Sequence, residues 1–261
     1  MHPQPLRYNA RAAFWTLFEK EILRFRKIAL QTILAPILTS VLYLLVFGKV
    51  LEGKMTVLGG VSYVDFLIPG LVMMSLLQNS FANSASSILQ SKITGSMVFV
   101  LLPPFSGWQL AAAYIAASVT RGLIVGTGVL LATFFWSIPP VEHPLWALMF
   151  ALFGAGIMAG LGIICGLWAE KYDQLGAFQT FVILPLTFLS GVFYSVAQLP
   201  AFWAKASLFN PFFYMIDGFR YGFFGVSDFP AWLSLSIVGG TCLILLAAAT
   251  MLFVRGYKLR M

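Results

Sequence analysis

Charge is scarce in this sequence. Of 261 residues only 10% are Asp, Glu, Lys or Arg, and the acids number nine. An ordinary soluble domain carries about 25% charged residues, so most of what makes a hydrated surface is missing. Cysteine is nearly absent too. Cys165 and Cys242 stand inside apolar runs, where a thiol behaves as a small hydrophobe. No C-x-x-C or paired Cys/His spacing occurs, which removes a disulfide framework and a zinc site. The two histidines, His2 and His143, lack the neighbours that acid–base work requires. No H-E-x-x-H or G-x-S-x-G is present. Gly48 to Lys54 has the spacing of a phosphate loop, but Met55 stands where magnesium needs Ser or Thr, and an apolar run precedes it instead of a strand. The expectation is a chain with no catalytic centre and no cofactor of its own.

What is present is hydrophobicity: 60% of residues are apolar and mean hydropathy is +0.89. Six stretches approach the ~20 apolar residues that a bilayer crossing needs. They are Ile28–Gly48, Tyr63–Leu89, Trp108–Trp136, Leu145–Trp168, Leu175–Tyr194 and Ala231–Val254. The reading is an all-α integral membrane protein of one domain over 1–261, without internal repeat. The second stretch carries Gln78, Asn79, Asn83 and several serines, which can hydrogen-bond across helices in a bundle.

The net charge of +7 is concentrated at the ends. Arg7, Arg11, Lys20, Arg24, Arg26 and Lys27 precede the first apolar run, and Arg255, Lys258 and Arg260 follow the last. Such placement is that of membrane topology rather than of a nucleic-acid patch, so no nucleic acid is expected. With both termini in the cytoplasm, the cytoplasmic segments hold 11 cations, including Lys92 and Lys171. The outer segments hold four: Lys49, Lys54, Lys205 and Arg220. The positive-inside bias favours that orientation.

Residues 8–27 put Phe14, Trp15, Leu17, Phe18, Ile22 and Phe25 on one helical face, interrupted by Glu21. This predicts an interfacial helix with its cations toward anionic lipid. Residues 195–230 are too apolar for an open loop and too often broken for a span, which predicts short helices re-entering from the outer side. Arg121 falls near the middle of the third stretch. Intramembrane charge is costly and faces a bundle interior or a wet cavity, as a substrate or gating contact or as a structural anchor. Asn79 and Asn83 join it as translocation candidates. Gly154, Gly156, Gly160, Gly162 and Gly166 in the fourth stretch predict close helix packing.

Several short motifs, in order, carry a resemblance. Glu19, Glu21 and Arg24 are followed by Pro36 and Phe47-Gly48. Tyr63, Asp65-Phe66 and Pro69-Gly70 open the second stretch, with Lys92, Gly95, Leu101-Leu102 and Pro104 after it. Ser190-Gly191, Phe193-Tyr194, Leu199-Pro200, Asn210-Pro211, Tyr214 and Phe219-Arg220 close the series. From about Phe14 to Arg255 the chain resembles the membrane permeases of ABC-2 type exporters.

The resemblance implies six spans in a bacterial inner membrane, a second permease copy (a homodimer is expected) and two cytoplasmic ATPase subunits that hold the ATP and Mg2+. It implies ATPase docking through Glu19, Glu21, Arg24, Lys92, Gly95, Leu101, Leu102 and Pro104, on an amphipathic helix and a coupling helix after span 2. Ser91, Lys92 and Thr94 replace the acidic–basic pair common in the family. The implied substrate route lies between two permeases along spans 1, 2 and 5. An outer re-entrant motif of Gly191, Tyr194, Pro200, Asn210, Pro211, Tyr214 and Arg220 would cap it. The expected cargo is a lipid-linked, saccharide or hydrophobic molecule. The alternatives are an ion-coupled carrier or channel, which usually buries Asp, Glu or His in its spans, and a structural scaffold.

Overall fold

The computed structural model of the chain describes residues 10–51, 60–103 and 105–259. Among these every regular element is helical: α1 (Ala10–Lys27), α2 (Ala29–Tyr43), α3 (Lys49–Leu51), α4 (Tyr63–Ile93), α5 (Met97–Leu101), α6 (Gly107–Thr133), α7 (Pro144–Trp168), α8 (Tyr172–Phe178), α9 (Leu184–Phe188), α10 (Ala201–Leu208), α11 (Pro211–Phe224) and α12 (Ala231–Val254). A π turn, Leu44–Gly48, joins α2 to α3, and another, Gln179–Ile183, joins α8 to α9. Five helical stretches are long and apolar enough to cross a bilayer: Ala29–Gly48, α4, α6, α7 and α12.

The centre of the bundle is α4. Of its most apolar window 83% is buried, against 17% for the first stretch and 22% for α12. It packs along α6 and α7, while α7 also meets α11 and α12. This arrangement follows from chemistry: α4 carries the most polar side chains of any span-length helix, and those groups find partners inside protein that lipid cannot supply. Ser84 Oγ donates to the Ala159 carbonyl of α7 at 2.9 Å, and Ser40 of α2 meets Ser75 at 3.3 Å. Small residues bring the backbones together. A Cβ on Gly162 would stand 2.5 Å from the Phe81 carbonyl, and one on Gly166 would stand 2.8 Å from that of Ala85. Gly154 also faces α4, whereas Gly156 and Gly160 face Cys242 and Leu245 of α12.

Helix ends differ from the sequence reading in three places. The third stretch ends as helix at Thr133, with Phe134–Trp136 in a turn. α4 runs on to Ile93, four residues past Leu89, whereas α1 and α2 meet at Ile28, where the sequence reading put the boundary. The fifth stretch starts earlier and stops earlier than Leu175–Tyr194, running Tyr172–Phe188. At 1.5 Å per residue that rod is about 26 Å long, short of a ~30 Å hydrocarbon core.

It stops because other side chains take its last carbonyls. Asn210 Nδ2 donates to Leu186 O at 2.6 Å, Tyr194 Oη to Phe188 O at 3.0 Å, and Ser190 Oγ to Thr187 O. Gly191 then turns the chain at φ +80°. α10 and α11 follow, and α11 packs on α7. Gly222 lies against Ala147, Gly218 against Phe150, and Met215 near Gly154 of α7. α11 therefore runs antiparallel beside α7, with Met215 about 15 Å along α7 from Pro144.

Candidate functional site

Two sets of residues that the sequence assigned to different roles meet in one seam between α1, α4 and α6. α1 turns Leu17, Glu21 and Phe25 inward, one helical turn apart, and all three are buried. Glu21 is fully enclosed, with Oε1 3.1 Å from Lys20 Nζ and Oε2 accepting from Arg24 Nε at 3.1 Å. Arg24 reaches across to α4, where Nη2 donates to Asn83 O and Oδ1, each at 2.9 Å. Arg121 of α6 shares that amide: Nη1 donates to Asn83 Oδ1 and Nη2 to Asn79 Oδ1, both at 3.3 Å. Asn83 Nδ2 donates in turn to Ser118 Oγ at 3.1 Å.

The Arg121 guanidinium lies 5.7 Å from the Phe25 ring centroid. The planar guanidinium fork bridges two amide oxygens from separate nitrogens, a span wider than the single nitrogen of an ammonium. The carboxylate serving this seam is Glu21, linked to Arg121 through Arg24 and Asn83. Its sequence signal was the acid interrupting an apolar face, one turn from Leu17 and Phe25. α1 is thus packed on protein along its seam, with Trp15 and Leu23 left outward.

Of the residues given to ATPase docking, the structure leaves some outward and turns others in. Glu19 is exposed, while Glu21 is buried and Arg24 is bonded inward. Lys92 is buried as well. Its Nζ donates to Leu167 O at 2.6 Å, Ala169 O at 2.7 Å and Gly166 O at 3.4 Å, capping the carbonyl end of α7 with a positive charge. Gly95 makes the turn into α5 at φ +69°, a left-handed conformation that suits glycine.

On α5, Met97 and Val100 face inward and Leu101 packs against the same cluster, together with Leu17, Ile88 and Leu259. Leu102 is 70% exposed, as are Val98 at 62% and Phe99 at 73%. The outward apolar face is therefore Val98, Phe99 and Leu102, not the adjacent pair Leu101 and Leu102. Helical spacing of 97/100/101 against 98/99/102 carries that split. Pro104 lies outside the described residues. Beside α5, Lys258 Nζ donates to Glu170 Oε1 at 2.8 Å, which holds the Glu170 carboxyl below its ordinary range and raises Lys258.

The motif at the opposite end of the bundle is a set of ties. Arg220 is buried, stacked 3.7 Å above the Phe66 ring, and donates through Nη2 to Gly191 O at 3.0 Å. Asn210 caps α11 by accepting from Phe212 N at 3.0 Å, with Pro211 in the first turn. Pro200 opens α10, and Tyr214 Oη donates to Leu208 O at 2.7 Å. Two acids that the sequence reading passed over complete the lock. Asp217 accepts from the backbone of Asp228 at 2.9 Å and of Phe229 at 3.2 Å. Asp228 accepts from Ser195 Oγ at 2.6 Å and Val196 N at 2.9 Å.

A family profile described as ABC-2 type transporter matches residues 12–224, from the buried seam of α1 through the end of α11. The chain belongs to the ABC-2 type transporter family. Over 218 residues this ABC-2 permease is 37% identical to the inner membrane transport permease YadH of Escherichia coli, covering 84% of this chain and 85% of that protein. It is 26% identical over 206 residues to nodulation protein J of Rhizobium leguminosarum bv. viciae, covering 78% and 79% respectively. The matched region of the ABC-2 permease contains the α1–α4–α6 seam, the α5 face and the α10–α11 hairpin together.

Proposed function

We propose that this ABC-2 permease is the membrane half of an ATP-driven exporter in a bacterial inner membrane. In this reading it crosses the bilayer six times, the α8–α9 rod and the re-entrant hairpin forming the fifth crossing. Both termini lie in the cytoplasm. It pairs with a second copy and receives its energy from a separate ATPase dimer that carries the ATP and Mg2+. The cargo is a lipid-linked, saccharide or hydrophobic molecule moved outward.

One observation carries the docking assignment. α5 is five residues long, too short to lie in lipid as a span, yet it presents Val98, Phe99 and Leu102 outward. Three adjacent exposed apolar side chains on a braced helix make a plug for a partner's groove. The brace is Leu17, Ile88 and Leu259 packed against its inner face and the Lys92 cap on α7 beside it. Glu19 supplies a carboxylate on the neighbouring helix.

Replacing Val98, Phe99 and Leu102 together with Asp is expected to abolish co-purification of the cognate ATPase while membrane insertion and thermal stability persist. Undiminished co-purification would remove α5 from the interface. Leu101→Asp is expected to act differently and to lower stability, because Leu101 is packed inside. An ion-coupled carrier needs a buried carboxylate free to titrate. The buried acids Glu21 and Asp217 are engaged by Lys20 and Arg24 and by two backbone amides respectively.

A further inference from the structure

We propose that the junction of α1, α4 and the turn before α5 binds the phosphate of an anionic phospholipid headgroup. A cavity of about 520 Å³ opens there between two facing helical stripes. Lys20, Arg24 and Lys27 form one wall, spaced at four and three residues along α1. Ser87, Ser91 and Thr94 form the other, with the same spacing along α4. Spacing of this kind puts each trio on one face.

Among the described residues no carboxylate lines the cavity. Two acids flank Lys20: Glu19 is exposed outside the lining of the cavity, and Glu21 is enclosed behind the wall and occupied by Lys20 and Arg24. Three cations thus line the cavity against these two carboxylates. Lys27 is exposed and makes no ion pair among the described residues. Phosphate oxygens need charge-assisted donors, and the Lys20 and Lys27 ammonium groups supply them here opposite the hydroxyls of α4, with the positive charge of Arg24, whose nitrogens are bonded to Glu21, Ser86 and Asn83, beside them.

Position selects a lipid over a free anion. The cavity adjoins the last turns of α1 and α4, and one residue beyond Lys27 the chain enters the first span-length apolar stretch. That is headgroup level for a membrane-embedded chain. Leu23, 46% exposed, forms an apolar edge of the same cavity, where the glycerol and acyl carbons of a lipid would continue. The site is separate from the α5 plug, and it is tested on the permease alone.

The test is equilibrium binding of fluorescent short-chain phosphatidylglycerol to the purified full-length chain in neutral detergent. Unlabelled dioctanoyl phosphatidylglycerol should displace the probe, whereas dioctanoyl phosphatidylcholine and inorganic phosphate at equal concentration should not. Lys27→Ala should weaken binding about fivefold, the scale of one cation at an anionic surface. Thr94→Val should weaken it as well, and Lys49→Ala, distant in the fold, should leave it unchanged. Lys27 and Thr94 are both exposed, so neither variant threatens folding, which a melting curve checks. Equal competition by phosphatidylcholine, or wild-type binding by both cavity variants, would overturn the site. Displacement by inorganic phosphate would reassign it to free phosphate. Loss of the lipid on assembly with the ATPase would give the cavity to acidic side chains of that partner.

Discussion

Arg121 shows how much one buried side chain depends on its neighbours. Its cost in an apolar bundle is offset by two amide oxygens, an aromatic ring and the Arg24–Glu21 pair behind Asn83. Asn79 and Asn83 lie one helical turn apart on α4, and the two prongs of the guanidinium take one oxygen each. Arg121→Lys should therefore lose one bridge, and Arg121→Ala both, each costing about 1–3 kcal/mol. Thermal unfolding in detergent would measure this. A wild-type melting temperature for Arg121→Lys would show that the fork is dispensable. The sequence singled out Arg121, Asn79 and Asn83 as intramembrane polar residues. It did not join them to Glu21 and Arg24, because the register of α1 against α6 is set by packing and leaves no trace in spacing.

Among the elements, the α4–α7 contact determines the bundle. α4 is polar and α7 is glycine-rich, and the two approach so closely that a Cβ on Gly162 would meet Ser84 Oγ at 2.2 Å and the Phe81 carbonyl at 2.5 Å. A backbone oxygen cannot rotate away, so Gly162→Ala must push the helices apart. We expect a destabilisation of about 1–3 kcal/mol. Gly239→Ala, on α12 with nothing within 4 Å, should instead be neutral or gain up to about 1 kcal/mol of helix propensity. Comparing the two variants by denaturation in detergent separates packing from propensity, and equal effects would refute the close-approach argument. Small residues at a four-residue period were visible in the chain. Which of them faced α4 and which faced α12 was not, since neighbouring glycines on one helix point to different partners.

For the whole molecule, the proposed orientation makes a direct prediction. Reporter fusions at the two chain ends should both be active on the cytoplasmic side, and a tag in the turn between α6 and α7 should be external. Ends on opposite faces would require one crossing fewer, which would remove the α8–α9 rod from the count. That rod is shorter than a ~30 Å hydrocarbon core. In the proposed crossing α11 completes its depth, held in place through Asn210, Arg220, Asp217 and Asp228.

Composition and apolar run length alone determined that the protein is helical and lives in lipid, since a chain so poor in charge cannot cover itself with water. The ordered motifs pointed to the ABC-2 family. Tertiary structure decided the rest: that Lys92 caps a helix, that Val98 and Phe99 rather than Leu101 face outward, and that Glu21 and Arg24 belong to the same seam as Arg121. These depend on which helix lies beside which. Side-chain direction repeats along one helix, but the partner that meets it is chosen by contacts distant in sequence.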